Sequence, residues 1–118
     1  METTFQKQRK YPRYKAPKWM RVGWKSAVDR GISRAEVVGM GGLFLQTPNP
    51  LPSGTVIELL FDLKTGEVRA RAIVRDSAPG KGMGVQFMQM QPADRARLNQ
   101  LLAQYASAEG EPIQKSSE

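Results

Sequence analysis

Alternation of apolar and charged side chains is the feature of this sequence that most restricts its fold. In Glu67–Arg75, small apolar residues hold the even positions and charged residues hold four of the five odd ones. Residues two apart share a face of a β-strand, so this pattern gives one apolar and one charged face. The segment is therefore predicted to be a strand with one buried and one solvated side.

Several other segments look like strands, and turn sequences separate them. Met20, Val22 and Trp24 fall on one face of the first, which predicts that they are core residues. The turn sequences are the proline-rich loop Thr47–Gly54, the Lys64–Gly66 turn and the Pro79–Gly82 turn. The predicted strands are Met20–Val28, Ala35–Val38, Leu43–Gln46, Thr55–Asp62, Glu67–Arg75 and Gly84–Met90.

The hydrophobic period changes after Pro92. Leu98, Leu101, Leu102 and Tyr105 recur at helical spacing, and Pro92 suits the first turn of a helix. The sequence therefore predicts an all-β fold, a small antiparallel barrel capped by one C-terminal helix near residues 92–108. The predicted division is a flexible basic arm over 1–18, the barrel and helix over 19–108, and a disordered tail over 109–118.

The amino-acid inventory argues against an enzyme. The chain has 118 residues without cysteine or histidine, so thiol nucleophiles, zinc–thiolate sites and the commonest general base are excluded. No carboxylate pair has a recognisable catalytic spacing. No cofactor or metal site is expected. The apolar segments are too short to span a bilayer, and we expect a soluble, cytoplasmic protein.

The positive charge is concentrated at the N-terminus, and this predicts an anionic partner. The net charge is +7, and residues 26–118 hold equal numbers of basic and acidic groups. Tyrosines and tryptophans lie among the basic residues, as in single-strand binding proteins, but Trp24 falls on the predicted core face. We therefore expect no specific nucleic-acid binding, and a small barrel that binds nucleic acid non-specifically is a less favoured alternative. The basic residues of the first 25 positions are Lys7, Arg9, Lys10, Arg13, Lys15, Lys18, Arg21 and Lys25.

Two short motifs are candidates for a binding site. In "RKYPR", Arg9 and Arg13 are four residues apart, and their planar guanidiniums match phosphate oxygens or the O6 and N7 edge of guanine. In "VVGMGGLF", glycines at 39, 41 and 42 interrupt a strand-like segment, although glycine weakens strands. The glycines shape either a barrel corner or a close approach to a ligand.

These motifs, in their order and spacing, resemble the bacterial PilZ domain. The resemblance runs over about residues 7–105 and continues through "GMGVQF" and "QPADRARLNQLL". It implies a six-stranded antiparallel barrel with a C-terminal helix. PilZ domains are typically receptors for cyclic di-GMP, held by an Arg-x-x-x-Arg arm and an Asp/Asn-x-Ser-x-x-Gly motif. The arm corresponds to Arg9 and Arg13, and the second motif aligns on Gly42.

The second motif departs from the family pattern at two of its three positions. Val37 stands in place of the Asp or Asn, and Gly39 stands in place of the Ser. Each missing hydrogen-bond partner costs about 1–3 kcal/mol, so together they weaken binding by roughly 30-fold to 10⁴-fold. Two interpretations remain open. In one, the domain binds cyclic di-GMP weakly or by altered barrel contacts, using Arg9 and Arg13. In the other, which is favoured, the site has decayed and the domain acts through an unidentified regulatory or motility protein.

Overall fold

The computed structural model describes residues 11–109, which form seven strands followed by one helix. All strand pairs are antiparallel. No helix in this range is both long enough and apolar enough to cross a membrane. The elements are β1 (Arg13–Lys15), β2 (Arg21–Lys25), β3 (Arg30–Gly39), β4 (Gly42–Gln46), β5 (Val56–Leu63), β6 (Gly66–Ala78), β7 (Gly82–Met90) and α1 (Pro92–Glu109).

Six of the strands close into a barrel. They are hydrogen-bonded in the order β3-β2-β5-β6-β7-β4, and β4 pairs back onto β3. The predicted six-stranded antiparallel barrel with a C-terminal helix is therefore confirmed. The additional strand β1 belongs to the segment predicted as an arm and pairs with residues 37–39 of β3. Residues 1–10, with Arg9, and 110–118 lie outside the described residues, so the predicted flexibility at both ends stays a prediction.

Strand alternation builds the core of the barrel. Strand β5 alternates without interruption, so Ile57, Leu59, Phe61 and Leu63 are buried while their neighbours are exposed. The small residues of β6 face the same interior, from Val68 to Val74. Met20, Val22 and Trp24 are buried as predicted. Each large apolar side chain removed from water contributes about 1.5–3 kcal/mol, which makes this interior the main source of stability.

Helix α1 packs on the barrel through the apolar positions that its period predicted. Leu98 and Leu102 are buried, and the ring of Tyr105 meets Tyr14 edge-on with centroids 6.2 Å apart. Arg97 donates to the carbonyl of Glu67 at 3.1 Å and lies 3.4 Å from a carboxylate oxygen of Asp94. The hydrogen bond from Arg97 joins the second turn of the helix to the start of β6.

The N-terminal half of β3 was not predicted. The strand begins at Arg30, five residues before the predicted Ala35. In this half of the strand the inward-facing residue is Ser33, which accepts a hydrogen bond from the indole Nε1 of Trp24 at 3.0 Å. Its outward position, Ile32, is 77% exposed. The usual polarity of the two faces is thus reversed, and the alternation pattern fails.

Candidate functional site

The glycine-rich segment is a hairpin connection between two strands. Strand β3 ends at Gly39, β4 begins at Gly42, and only Met40 and Gly41 lie between them. Positive φ does not explain these glycines, because among the described residues only Gly54, Gly66 and Gly80 have it.

Close approach of neighbouring backbone explains the glycines instead. A Cβ on Gly42 would lie 2.0 Å from the carbonyl oxygen of Val85 in β7, and one on Gly39 would lie 2.7 Å from that of Pro12. Real Cβ atoms do not come so close to backbone atoms. At Gly41 the neighbour is the ring of Tyr11, at 3.1 Å. The segment therefore has a structural role at the barrel corner, where β1 and β7 close around it.

A pocket of about 560 Å³ opens beside this corner. Of the predicted site residues, the structure brings Arg13, Val37, Gly39 and Gly42 together in its lining. Arg13 is positioned by β1, where it pairs opposite Gly39. Val37 is half-buried between Lys15 of β1 and Phe44 of β4. Arg13 of the arginine motif and the glycine-rich segment therefore meet at one site.

Three polar residues of this pocket were not predicted from the sequence. Arg75 and Asp76 lie in β6, and Gln86 lies in the neighbouring strand β7. Arg75 donates through Nε to the Gln86 side-chain oxygen at 2.6 Å. The β6–β7 register shifts between Val74 and Asp76, and such bulges re-aim side chains. In the sequence, these residues could have been found because the alternation of apolar and charged side chains ends at "RDS", Arg75–Ser77.

The polar lining of the pocket is complementary to anionic and purine groups. Guanidiniums such as those of Arg13 and Arg75 are suited to donate to phosphate oxygens or to the acceptor edge of guanine. The carboxylate of Asp76 accepts hydrogen bonds and matches a donor edge. Tyr11 and Phe44 supply aromatic surface to the same pocket, and the Tyr11 hydroxyl lies 3.5 Å from Arg95 of α1. The side of the pocket at Val37 and Gly39 offers no polar side chain.

Three solved structures share the fold of this chain. The Bacillus subtilis inhibitor of motility MotI/DgrA is 18% identical, with a TM-score of 0.70 over 85% of this chain and 52% of its own. Escherichia coli YcgR in complex with c-di-GMP is 17% identical, with a TM-score of 0.70 over 87% and 48%. The K. pneumoniae MrkH–c-di-GMP complex is 16% identical, with a TM-score of 0.69 over 86% and 54%.

This chain spans about half the length of each of those three proteins. The chain has no match among the curated proteins. The family model of the PilZ domain matches residues 7–104. That range includes the whole barrel, the Arg-x-x-x-Arg motif and most of α1. The chain therefore belongs to the PilZ domain family.

Proposed function

We propose that this chain is a regulatory domain that acts on a protein partner and binds cyclic di-GMP weakly or not at all. The process that it controls is motility, cell polarity or surface behaviour. Two similar structures support this class of function. One is the structure of an inhibitor of motility, and the other is that of a c-di-GMP-dependent transcription regulatory factor. The domain is a regulator and has no catalytic role.

The barrel side of the pocket carries the argument for weak nucleotide binding. Val37 presents an aliphatic surface where the family pattern has Asp or Asn. At Gly39 a side chain is excluded by the carbonyl of Pro12, so this position cannot supply a hydroxyl while β1 is paired. A guanine desolvated against this wall loses hydrogen bonds, at about 1–3 kcal/mol for each polar group left without a partner.

A second candidate function is that of a cyclic di-GMP receptor with altered contacts. Asp76, Arg75 and Gln86 favour it, because they bring hydrogen-bonding groups to the same pocket as Arg13. In this case Arg9 and Arg13 hold the phosphates and Asp76 replaces the missing family carboxylate. Titration of an Asp76→Asn variant separates the two candidates. A receptor loses affinity in this variant, whereas a domain without nucleotide binding shows no change.

Deletion and complementation in the source bacterium test the regulatory role. We expect deletion to change swimming or surface attachment, and the wild-type gene to restore the original behaviour. An Arg9→Ala, Arg13→Ala gene should fail to restore it, since the arm serves as a docking surface. A Lys64→Ala, Lys81→Ala gene removes the same charge elsewhere and should restore it. Normal motility and attachment in the deletion strain would contradict the proposal.

A further inference from the structure

A second depression lies on the outer face of the barrel and shares no lining residue with the pocket beside Arg13. It has a volume of about 960 Å³ and lies across β2, β3, β5 and β6, with the end of β7 and the start of α1 at one side. We call it the outer groove. Its lining includes Gly23, Ile32 and Leu60.

The floor of the outer groove is apolar. Ile32 is 77% exposed and Leu60 is 41% exposed. Isolated exposed aliphatic residues are ordinary on protein surfaces. Ile32 of β3 and Leu60 of β5, however, both pair with the same residue, Gly23 of β2. They therefore flank a gap in which no side chain lies.

The fold does not require glycine at position 23. A Cβ there would meet only the carbonyl oxygen of Leu60, at 3.6 Å, which is an ordinary contact. Gly23 does not have positive φ either. Glycine nevertheless weakens a strand interior, because it costs more backbone entropy than other residues. The gap between Ile32 and Leu60 is thus kept at the expense of strand stability.

Like charges face each other on both sides of this gap. In the β2–β3 hairpin, Arg21 pairs directly opposite Arg34, and Lys25 pairs directly opposite Arg30. Directly opposed like charges destabilise a sheet. Within residues 11–109, none of these four side chains has a carboxylate within 4.0 Å. Glu58, the acidic residue opposite Lys25, is instead 4.0 Å from Arg71.

We propose that the outer groove docks an acidic segment of a partner protein, which inserts an aliphatic side chain over Gly23. Carboxylates of that segment meet Lys25 and Arg30, which line the groove, and reach Arg21 and Arg34, which pair two residues from Gly23 on its other side. Ile32 and Leu60 enclose the aliphatic group. The inference rests on the proposed function, in which the domain acts on a protein, and it names the surface. A protein fits better than a nucleic acid, because the floor is aliphatic and the one aromatic ring in the lining, that of Trp24, is buried and offers no surface on which bases stack.

Selection from a displayed library of random peptides tests the groove without knowledge of the partner. We expect the full chain to select peptides that combine acidic residues with one aliphatic residue. Fluorescence anisotropy of the strongest labelled peptide then measures binding. Lys25→Glu with Arg30→Glu, and Ile32→Ser with Leu60→Ser, should each weaken it at least tenfold. The matched controls, Lys64→Glu with Lys81→Glu, and Val56→Ser, should leave it unchanged.

A Gly23→Thr variant separates docking from folding. Threonine suits a strand, so the melting temperature should rise by about 2–8 °C. Its side chain fills the gap, so peptide affinity should fall at least tenfold. A variant that melts higher and still binds like wild type would overturn the proposal.

The same binding assays distinguish other possible occupants of the outer groove. Selected peptides without acidic residues, or unaffected by the groove variants, would overturn the proposal. Dimerisation that is seen in light scattering and lost in the groove variants would assign the surface to a second copy of the chain. Binding of single-stranded DNA that is lost only in the charge variant would assign the surface to nucleic acid. Either result would overturn the proposal. If deletion of the gene changes motility and genes with the groove substitutions restore it fully, the groove inference fails while the proposed function stands.

Discussion

At the residue scale, the glycine-rich motif is explained by backbone contacts. Gly42, the one defining position that matches the family pattern, lies where β4 approaches the carbonyl of Val85. The two positions that depart from the pattern, Val37 and Gly39, are those at which the family uses polar side chains. The close packing of β4 against β7 therefore requires the glycine that this chain keeps at position 42.

Substitution of Gly42 by alanine should destabilise the barrel by about 1–3 kcal/mol, because β4 and β7 must separate to admit the methyl group. Urea unfolding followed by tryptophan fluorescence measures this. Gly23→Ala is the matched control, since its methyl group meets only an ordinary contact, and it should be neutral or stabilising. Equal unfolding midpoints for Gly42→Ala and wild type would contradict the close approach.

Removal of the Ser33 hydroxyl should cost about 1–3 kcal/mol, because it leaves the indole N–H of Trp24 buried without its acceptor. The same urea experiment measures the loss. Ser77→Ala is the control, since Ser77 is exposed in β6. If both variants unfold at the wild-type midpoint, the hydrogen bond contributes nothing to stability.

At the element scale, β1 links the arginine motif to the barrel. Its three residues pair with 37–39 of β3, and so place Arg13 in the pocket. The same pairing brings Pro12 over Gly39 and excludes a side chain there. Arm and glycine segment are therefore coupled, and a change in one is expected to displace the other.

Gly39→Ser should release β1 from β3, because the new Cβ would meet the Pro12 carbonyl at 2.7 Å. Hydrogen exchange read by mass spectrometry should show faster exchange in peptides covering Arg13–Lys15. Gly23→Ser, whose Cβ would make only an ordinary contact at 3.6 Å, should leave exchange in that segment unchanged. Unchanged protection in Gly39→Ser would mean that the strand accommodates the hydroxyl.

Most elements could be predicted from the sequence, because side-chain alternation follows burial in β5 and through most of β6. The start of β3 and the whole of β1 could not. In β3 the serine faces inward to Trp24 and Ile32 faces solvent. In β1 three residues carry too little pattern to distinguish a strand from an extended arm. Arg75 and Asp76 were missed because a bulge, and no motif, places them in the pocket.

At the scale of the whole molecule, the charge distribution separates two surfaces. The net charge of +7 arises from the first 25 residues, but Arg21 and Lys25 belong to the barrel and pair with Arg34 and Arg30. Part of the N-terminal excess is thus presented by the β2–β3 hairpin. The pocket beside Arg13 and the outer groove are accordingly two separate cationic regions of the surface.

Binding to DNA or RNA should be weak, independent of sequence and steeply dependent on salt, because it rests on charge alone. Gel-shift assays at about 150 mM salt should show little complex with any sequence. A competitor of unrelated sequence should displace whatever binds at lower salt. Tight, sequence-selective binding at the higher salt would instead favour a nucleic-acid function.

The most direct test of weak nucleotide binding is calorimetric titration with cyclic di-GMP, beside E. coli YcgR, whose structure contains this ligand. GTP and cyclic di-AMP serve as ligand controls. With two polar contacts missing at Val37 and Gly39, this chain should bind at least about 30-fold more weakly than YcgR, or give no heat. Affinity within a few-fold of YcgR, abolished by Arg9→Ala or Arg13→Ala, would contradict the account.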